Sequence, residues 1–135
     1  MPNQPGRVLI VDVHPDAERL YGKDLRGTGY SVQVTATAAE GMAAARRDAP
    51  DLVIAAVILP DGDGFALVRG LARAVDPSPR FVLISDSDDF ESAERGLALG
   101  LADYLIRHAE TSDDLLDRVS HWLSKAYRRP LRVVQ

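Results

Sequence analysis

The sequence contains no cysteine, and this absence excludes several kinds of chemistry at once. Disulfide bonds, thiolate catalysis and sulfur-ligated metal sites all require a cysteine side chain. No apolar run approaches the ~18 or more residues that a transmembrane helix needs, so we expect no membrane association. The opening segment Met1–Gly6 has no basic start followed by an apolar core. It therefore does not fit a secretion signal, and we expect a cytoplasmic location.

A surplus of basic residues is also missing. The chain has 16 basic and 20 acidic residues, for a formal net charge of -4. Because nucleic acids bind mainly to clusters of Lys and Arg, we expect no DNA or RNA binding by this domain. Its 135 residues, 46% hydrophobic and 27% charged, are typical of one folded domain with a single core.

The apolar run from Leu52 to Leu59 is the most informative stretch of the chain. Its short length, its β-branched residues and the prolines and glycines around it predict a strand buried on both faces. Such strands lie at the centre of parallel sheets, where ligands bind outside the carboxyl ends of the strands. We therefore expect the functional site at Ala56, Val57 and the loop through Gly64.

Five predicted strands alternate with five predicted helices along the chain. The strands cover roughly residues 8–11, 31–35, 52–59, 80–85 and 102–106, and the helices roughly 15–26, 37–48, 64–75, 89–99 and 111–127. This alternation predicts an α/β fold, a flavodoxin-like (βα)5 three-layer sandwich with parallel sheet order 2-1-3-4-5. The folded domain is predicted at 7–127, after a lead-in at 1–6 and before a tail or linker at 128–135.

Several motifs together resemble the receiver domain of bacterial response regulators (CheY-like). The segments Pro50–Val53 and Leu59–Gly64 are similar to the third strand of that family and the loop after it. Gly100–Tyr104 resembles the family motif Gly-Ala-x-Asp-Tyr. The resemblance covers roughly residues 7–125 and implies a role in two-component (phosphorelay) signal transduction.

The acidic residues of this family are largely absent. The family phosphorylates an aspartate four positions before the loop proline, and Ala56 occupies that position here. Two acids that close the first strand of the family hold Mg²⁺ with that aspartate, and they are matched here by Asp12 and Val13. Alanine offers no nucleophile for an aspartyl phosphate, and one carboxylate makes a poor Mg²⁺ site. We therefore predict that phosphorylation at Ala56 is absent, that Mg²⁺ binding is lost or weak, and that no other cofactor is used.

The other family positions are partly retained. Ser85 and Tyr104 match the hydroxyl and aromatic switch positions of the family, whereas Arg107 and His108 replace its Lys-Pro pair. Because a guanidinium suits a fixed carboxylate partner, we expect Arg107 to pair with Asp12, Asp61 or Asp86, and a mobile exposed arginine is the alternative. His108 replaces a proline that follows a cis bond, which without proline costs about 2.5–4 kcal/mol. A trans bond and a rearranged loop are therefore predicted.

The resemblance implies a receiver-like signalling module that acts through protein–protein contacts, as a degenerate pseudo-receiver. The expected partners are a histidine kinase or an output domain, bound at the face of the fourth helix, fifth strand and fifth helix. An enzyme is not expected, because no nucleophile–base pair or metal-ligand cluster is found in the sequence. The alternative is a phosphoacceptor receiver that uses a substitute carboxylate such as Asp61, although a solvated turn acid is the simpler interpretation of that residue.

Overall fold

A five-stranded parallel sheet lies at the centre of the structure, a computed structural model that describes residues 6–86, 90–107 and 112–124. The described residues form the strands β1 (Arg7–Val11), β2 (Ser31–Thr35), β3 (Leu52–Ala56), β4 (Ile58–Leu59), β5 (Gly62–Asp63), β6 (Arg80–Ser85) and β7 (Asp103–Ile106). The sheet has the order β2-β1-β3-β6-β7, and β4 and β5 form a separate antiparallel hairpin. Since β6 and β7 are the predicted fourth and fifth strands, the predicted sheet order is confirmed.

Helices follow the strands as crossover connections. They are α1 (Lys23–Gly27), α2 (Ala38–Arg47), α3 (Gly64–Ala74), α4 (Phe90–Ala98) and α5 (Ser112–Leu123). Helices α1 and α5 contact each other, and α2 and α3 contact each other. In the part of the chain that the structure describes, no helix is long and apolar enough to cross a membrane.

The first helical region differs from the predicted single α-helix at 15–26. Residues Ala17–Gly22 form a π-helical segment, and α1 continues directly from it. Segments of this kind are rare, and they occur often at functional sites. The segment contributes the buried side chains Ala17 and Tyr21 to the core.

The predicted strand at 52–59 is too long. Every residue of β3 is buried, which confirms burial on both faces, but the strand ends at Ala56. The Val57 N–H still donates to the Ile84 carbonyl (2.9 Å), whereas Ile58 belongs to the hairpin and is 77% exposed. Because β6 ends one residue after Ile84, the chain beyond Val57 has no parallel neighbour to extend the sheet.

Two predicted helix starts are confirmed by their capping contacts. The Thr37 hydroxyl accepts from the Glu40 N–H (3.1 Å), and the Asp63 carboxylate accepts from the Ala66 N–H (2.8 Å). Each bond satisfies one of the N–H groups that a helix leaves unpaired at its first turn. On α3, Leu67 is buried and Ala72 is exposed.

The predicted lead-in at 1–6 and the tail at 128–135 lie outside the described residues, apart from Gly6. His108 and the predicted rearranged loop after β7 lie outside them as well.

Candidate functional site

The carboxyl ends of four strands meet at one edge of the sheet. Val11 of β1 is in register with Ala55 of β3, so Asp12 and Ala56 are the next residues at that edge. Ser85 ends β6 and is in register with Ile106 of β7, which Arg107 follows directly. Parallel topology therefore brings Asp12, Ala56, Ser85 and Arg107 to one edge, although they are far apart in sequence.

A buried ion pair joins the two outer members of this group. Arg107 Nη1 lies 2.7 Å from Asp12 Oδ2, and Arg107 Nη2 lies 3.2 Å from Asp12 Oδ1. Each side chain is only 2% exposed. The two parallel contacts form the bidentate geometry in which a guanidinium holds a carboxylate most firmly.

A third group completes the cluster. Arg107 Nε donates to Asp86 Oδ1 at 2.5 Å, and the Asp86 side chain is 60% exposed. Burial alone lowers the pKa of Arg107, but hydrogen bonds to Asp12 and Asp86 outweigh that effect and raise the pKa above its ordinary value. The predicted pairing of Arg107 is thus found with Asp12 and Asp86.

Tyr21, from the π-helical segment, lies beside this cluster. Burial raises the pKa of its phenol, and the positive charge of the neighbouring Arg107 offsets part of that rise. The predicted helix at 15–26 includes Tyr21 but gives no indication of this neighbour. No local signal distinguishes an aromatic side chain that packs against a buried cation from one that packs against aliphatic neighbours.

The other residues at this edge of the sheet provide few oxygen or nitrogen ligands for a metal ion. Ala56 is buried and apolar, and Val13 is 59% exposed and apolar. Besides the Arg107 contacts, Asp12 Oδ1 accepts from the His14 N–H at 3.0 Å. Within residues 6–86, 90–107 and 112–124, no three or more His, Cys, Asp or Glu side chains are grouped so that they could hold a metal ion. The donor set therefore does not fit Mg²⁺, which favours several carboxylate or phosphate oxygens.

Asp61 lies apart from the Arg107 cluster. It stands at the turn of the β4–β5 hairpin, and its carboxylate accepts from the N–H groups of Ala38 (2.8 Å) and Ala39 (3.0 Å). These two bonds, first that of Ala38 and then that of Ala39, lower the pKa of Asp61. The carboxylate is thus bound to the first turn of α2, where unpaired N–H groups favour a negative charge.

Gly64 lies where the loop after β3 folds back against the end of that strand. Its N–H donates to the Val57 carbonyl at 2.8 Å. A Cβ at this position would overlap the Ala56 carbonyl oxygen and lie 2.7 Å from Leu83 Cδ2. The close approach of two backbone segments therefore requires glycine here.

Ser85 and Tyr104, the predicted switch positions, lie on the neighbouring strands β6 and β7. Ser85 is buried at the end of β6, and Tyr104 is half-buried on β7. The Tyr104 hydroxyl oxygen is buried and has no hydrogen-bond partner among the described residues.

The sheet order and the crossover helices are those of a known class of signalling domain. The family model for the response regulator receiver domain matches residues 8–120, so the chain belongs to the receiver-domain family. A CheY-like response regulator receiver domain protein from Methanospirillum hungatei is 26% identical, with a TM-score of 0.79 over 88% of this chain and 94% of that one. The non-phosphorylated HemR receiver domain from Leptospira biflexa is 24% identical with a TM-score of 0.80.

Curated relatives are transcriptional regulators. The chain is 33% identical to the "Probable transcriptional regulatory protein TcrX" of Mycobacterium tuberculosis over 77% of this chain and 44% of that protein. It is 29% identical to the transcriptional regulatory protein PcoR of Escherichia coli over 89% of this chain and 52% of PcoR. The chain thus spans about half the length of the curated relatives that it matches.

Proposed function

We propose that this receiver domain signals without aspartyl phosphorylation, as a pseudo-receiver that acts through protein–protein contacts. The bidentate contact between Arg107 and Asp12 carries the proposal. The one retained acid of the pocket is already neutralised by a protein cation, and Ala56 has no carboxylate to phosphorylate. The proposal also includes loss of tight Mg²⁺ binding, because Val13 and Ala56 offer no oxygen to the cation and because Asp12 and Asp86 both bind Arg107.

The alternative is phosphorylation of a substitute carboxylate. Asp61 is the candidate, but both of its oxygens accept backbone N–H groups at the start of α2. These bonds hold the carboxylate against α2 and stabilise its charge, which disfavours attack on a phosphoryl donor. The lowered pKa of Asp61 also makes its carboxylate a weaker nucleophile, which further favours signalling without phosphorylation.

Incubation with acetyl phosphate and MgCl₂, followed by intact-mass measurement, tests the proposal. We expect no phosphoryl adduct on the wild-type protein. An adduct that is lost in Asp61→Asn would overturn the proposal in favour of the alternative. A positive control is the triple variant Val13→Asp, Ala56→Asp and Arg107→Lys, which returns the family residues to the pocket. We expect this variant to take up one phosphoryl group, provided that circular dichroism shows it to be folded.

The proposed partner is a histidine kinase or an output domain, bound at the face formed by α4, β7 and α5. Helix α4 of this face includes Leu97, which is 60% exposed. Titration of a purified candidate partner against Leu97→Lys and Ile58→Lys tests the assignment. Both variants place a charge on an exposed apolar position, but only Leu97→Lys should weaken binding. Equal weakening by both variants, or by neither, would count against the α4 face.

The proposal also covers the bounds of the domain, its enzymatic role, its nucleic-acid binding and its location. We place the receiver-like domain at residues 7–127 and assign it no enzymatic role. The acidic net charge supports the absence of nucleic-acid binding by this domain, so DNA contacts would fall to an output domain. A cytoplasmic location is proposed because the relatives are named as transcriptional regulatory proteins.

A further inference from the structure

A cavity lies at the amino-terminal edge of the sheet, opposite to the edge with the Arg107 cluster. It has a volume of about 230 Å³ and lies between α3 and the segments that lead into β6 and β7. Its floor is apolar and consists of the buried side chains Val68, Pro79 and Phe81. A well-formed apolar cavity with a few polar groups at its rim is the usual form of a small-molecule site.

The rim of this cavity carries two positive charges. Arg69 and Arg73 lie one turn apart on α3, and both are exposed. Like charges at this spacing destabilise a helix. Neither guanidinium has an ion pair or a side-chain hydrogen bond with a carboxylate in the described part of the chain. In an acidic protein, two such cations beside an apolar cavity are complementary to an anionic ligand.

A third arginine at the cavity has a different role. Arg80 lines the wall, but its Nη1 donates to the carbonyl oxygens of Trp122 and Ser124 at the end of α5. Cations commonly satisfy the last carbonyl groups of a helix in this way. The pair Arg69 and Arg73 therefore supplies the charge that faces the cavity.

We propose that this cavity binds a small monocarboxylate with an aromatic or aliphatic body. The body would lie on Val68 and Phe81, and the carboxylate would accept from Arg69 and Arg73. The volume of 230 Å³ lies below the roughly 300–1,000 Å³ of pockets for drug-sized ligands, which suits a ring with a short acid rather than a peptide segment. The proposal does not depend on how the Arg107 cluster functions.

Titration of the ¹⁵N-labelled protein with phenylacetate, followed by two-dimensional NMR, tests the proposal. We expect saturable shifts at the amides of Arg69, Arg73 and Ser78, and no saturable shift with the neutral phenylacetamide. Arg69→Gln with Arg73→Gln should weaken binding at least about tenfold, because charge-assisted hydrogen bonds are lost. Arg46→Gln with Arg47→Gln removes the same charge from α2 and should leave binding unchanged.

A second variant separates the cavity from the charges. Ala72→Phe places a ring at the rim while it keeps both arginines, and it should also abolish the shifts. The proposal is overturned if phenylacetate gives no saturable shifts, if phenylacetamide binds equally well, or if the α2 control weakens binding as much as the α3 pair. Saturable binding only of an acidic peptide such as acetyl-Asp-Phe-Asp-amide would overturn the assignment to a small molecule.

Discussion

Replacement of Arg107 by methionine should destabilise the fold strongly, because it leaves the Asp12 carboxylate buried without its cation. Methionine roughly keeps the length of the side chain and removes both the charge and the donors. Removal of one partner from a buried ion pair typically costs about 3–5 kcal/mol, since the remaining charge is neither paired nor hydrated. Global stabilities are commonly about 5–15 kcal/mol, so this single change would remove a large share.

The structure assigns most of that cost to Asp12 rather than to Asp86. The Asp12 side chain is 2% exposed, whereas that of Asp86 is 60% exposed and can be hydrated when Arg107 is removed. An exposed pair contributes only about 0–1 kcal/mol. Asp12 retains the bond from the His14 N–H, which places the expected cost nearer 3 than 5 kcal/mol.

Urea unfolding followed by circular dichroism measures this cost. With a urea dependence of about 2 kcal/mol per molar, the midpoint should fall by roughly 1.5 M or more. Arg19→Met is the matched control, because Arg19 contacts Asp16 at 2.8 Å but its side chain is 72% exposed. We expect that control to change stability by no more than about 0.5 kcal/mol.

A double variant distinguishes loss of the pair from loss of side-chain packing. Asp12→Leu combined with Arg107→Met removes both charges, and replacing a buried pair by apolar residues is often neutral or stabilising by about 1–4 kcal/mol. We therefore expect the double variant to be more stable than Arg107→Met alone. The reasoning is refuted if Arg107→Met costs less than about 1 kcal/mol, which is the value of an exposed pair, or if the double variant shows no recovery.

Further predictions concern three other positions. Because folding lowers the pKa of Asp61 below its ordinary 3.8, the stabilisation that its charge provides is present above that pH and lost as pH falls through the folded-state value. The stability difference between wild type and Asp61→Ala should therefore shrink between neutral pH and about pH 2.5, and a constant difference in urea titrations would contradict this. Gly64→Ala should lower the free energy of unfolding by about 1–3 kcal/mol, because the added Cβ meets the Ala56 backbone. Gly27→Ala is the control, because the space around Gly27 is open, and it should leave thermal stability unchanged or raise it. Tyr104→Phe removes a buried hydroxyl without a partner in the described residues and should leave stability unchanged or raise it by up to ~1 kcal/mol; a loss of more than that in urea unfolding would reveal a partner.

The architecture could be predicted from local patterns because each element carries its own signal. The apolar run of β3 indicates burial on both faces, and Thr37 and Asp63 mark helix starts that the capping bonds confirm. The exact end of β3 was not predicted. Whether Val57 and Ile58 extend the sheet depends on where the neighbouring β6 ends, and that information is not local to the run.

The site could be predicted only as a set of candidates. Arg107 was expected to find a carboxylate, but the choice among Asp12, Asp61 and Asp86 depends on three-dimensional placement. Asp12 and Arg107 are 95 residues apart and follow strands that are separated by β3 and β6. Asp61 was not available, because the β4–β5 hairpin directs it to the start of α2. Tyr21 was not recognised as a neighbour of Arg107, since its position depends on a π-helical segment that has no clear sequence signature.

The charges in the pocket explain why Val13, Ala56 and Arg107, which all differ from the family pattern, can occur together. In the family pattern, three carboxylates meet a divalent cation and a lysine, so the buried charges sum to zero. Here Val13 and Ala56 carry no charge, and the charges of the buried pair Asp12 and Arg107 also sum to zero. A lysine at position 107 would also balance the charge of Asp12. Because its ammonium group is a point charge, however, it would not hold both carboxylate oxygens of Asp12. The bidentate contact of Arg107 thus balances the one buried carboxylate beside Val13 and Ala56, which is why these four residues are mutually compatible in one pocket.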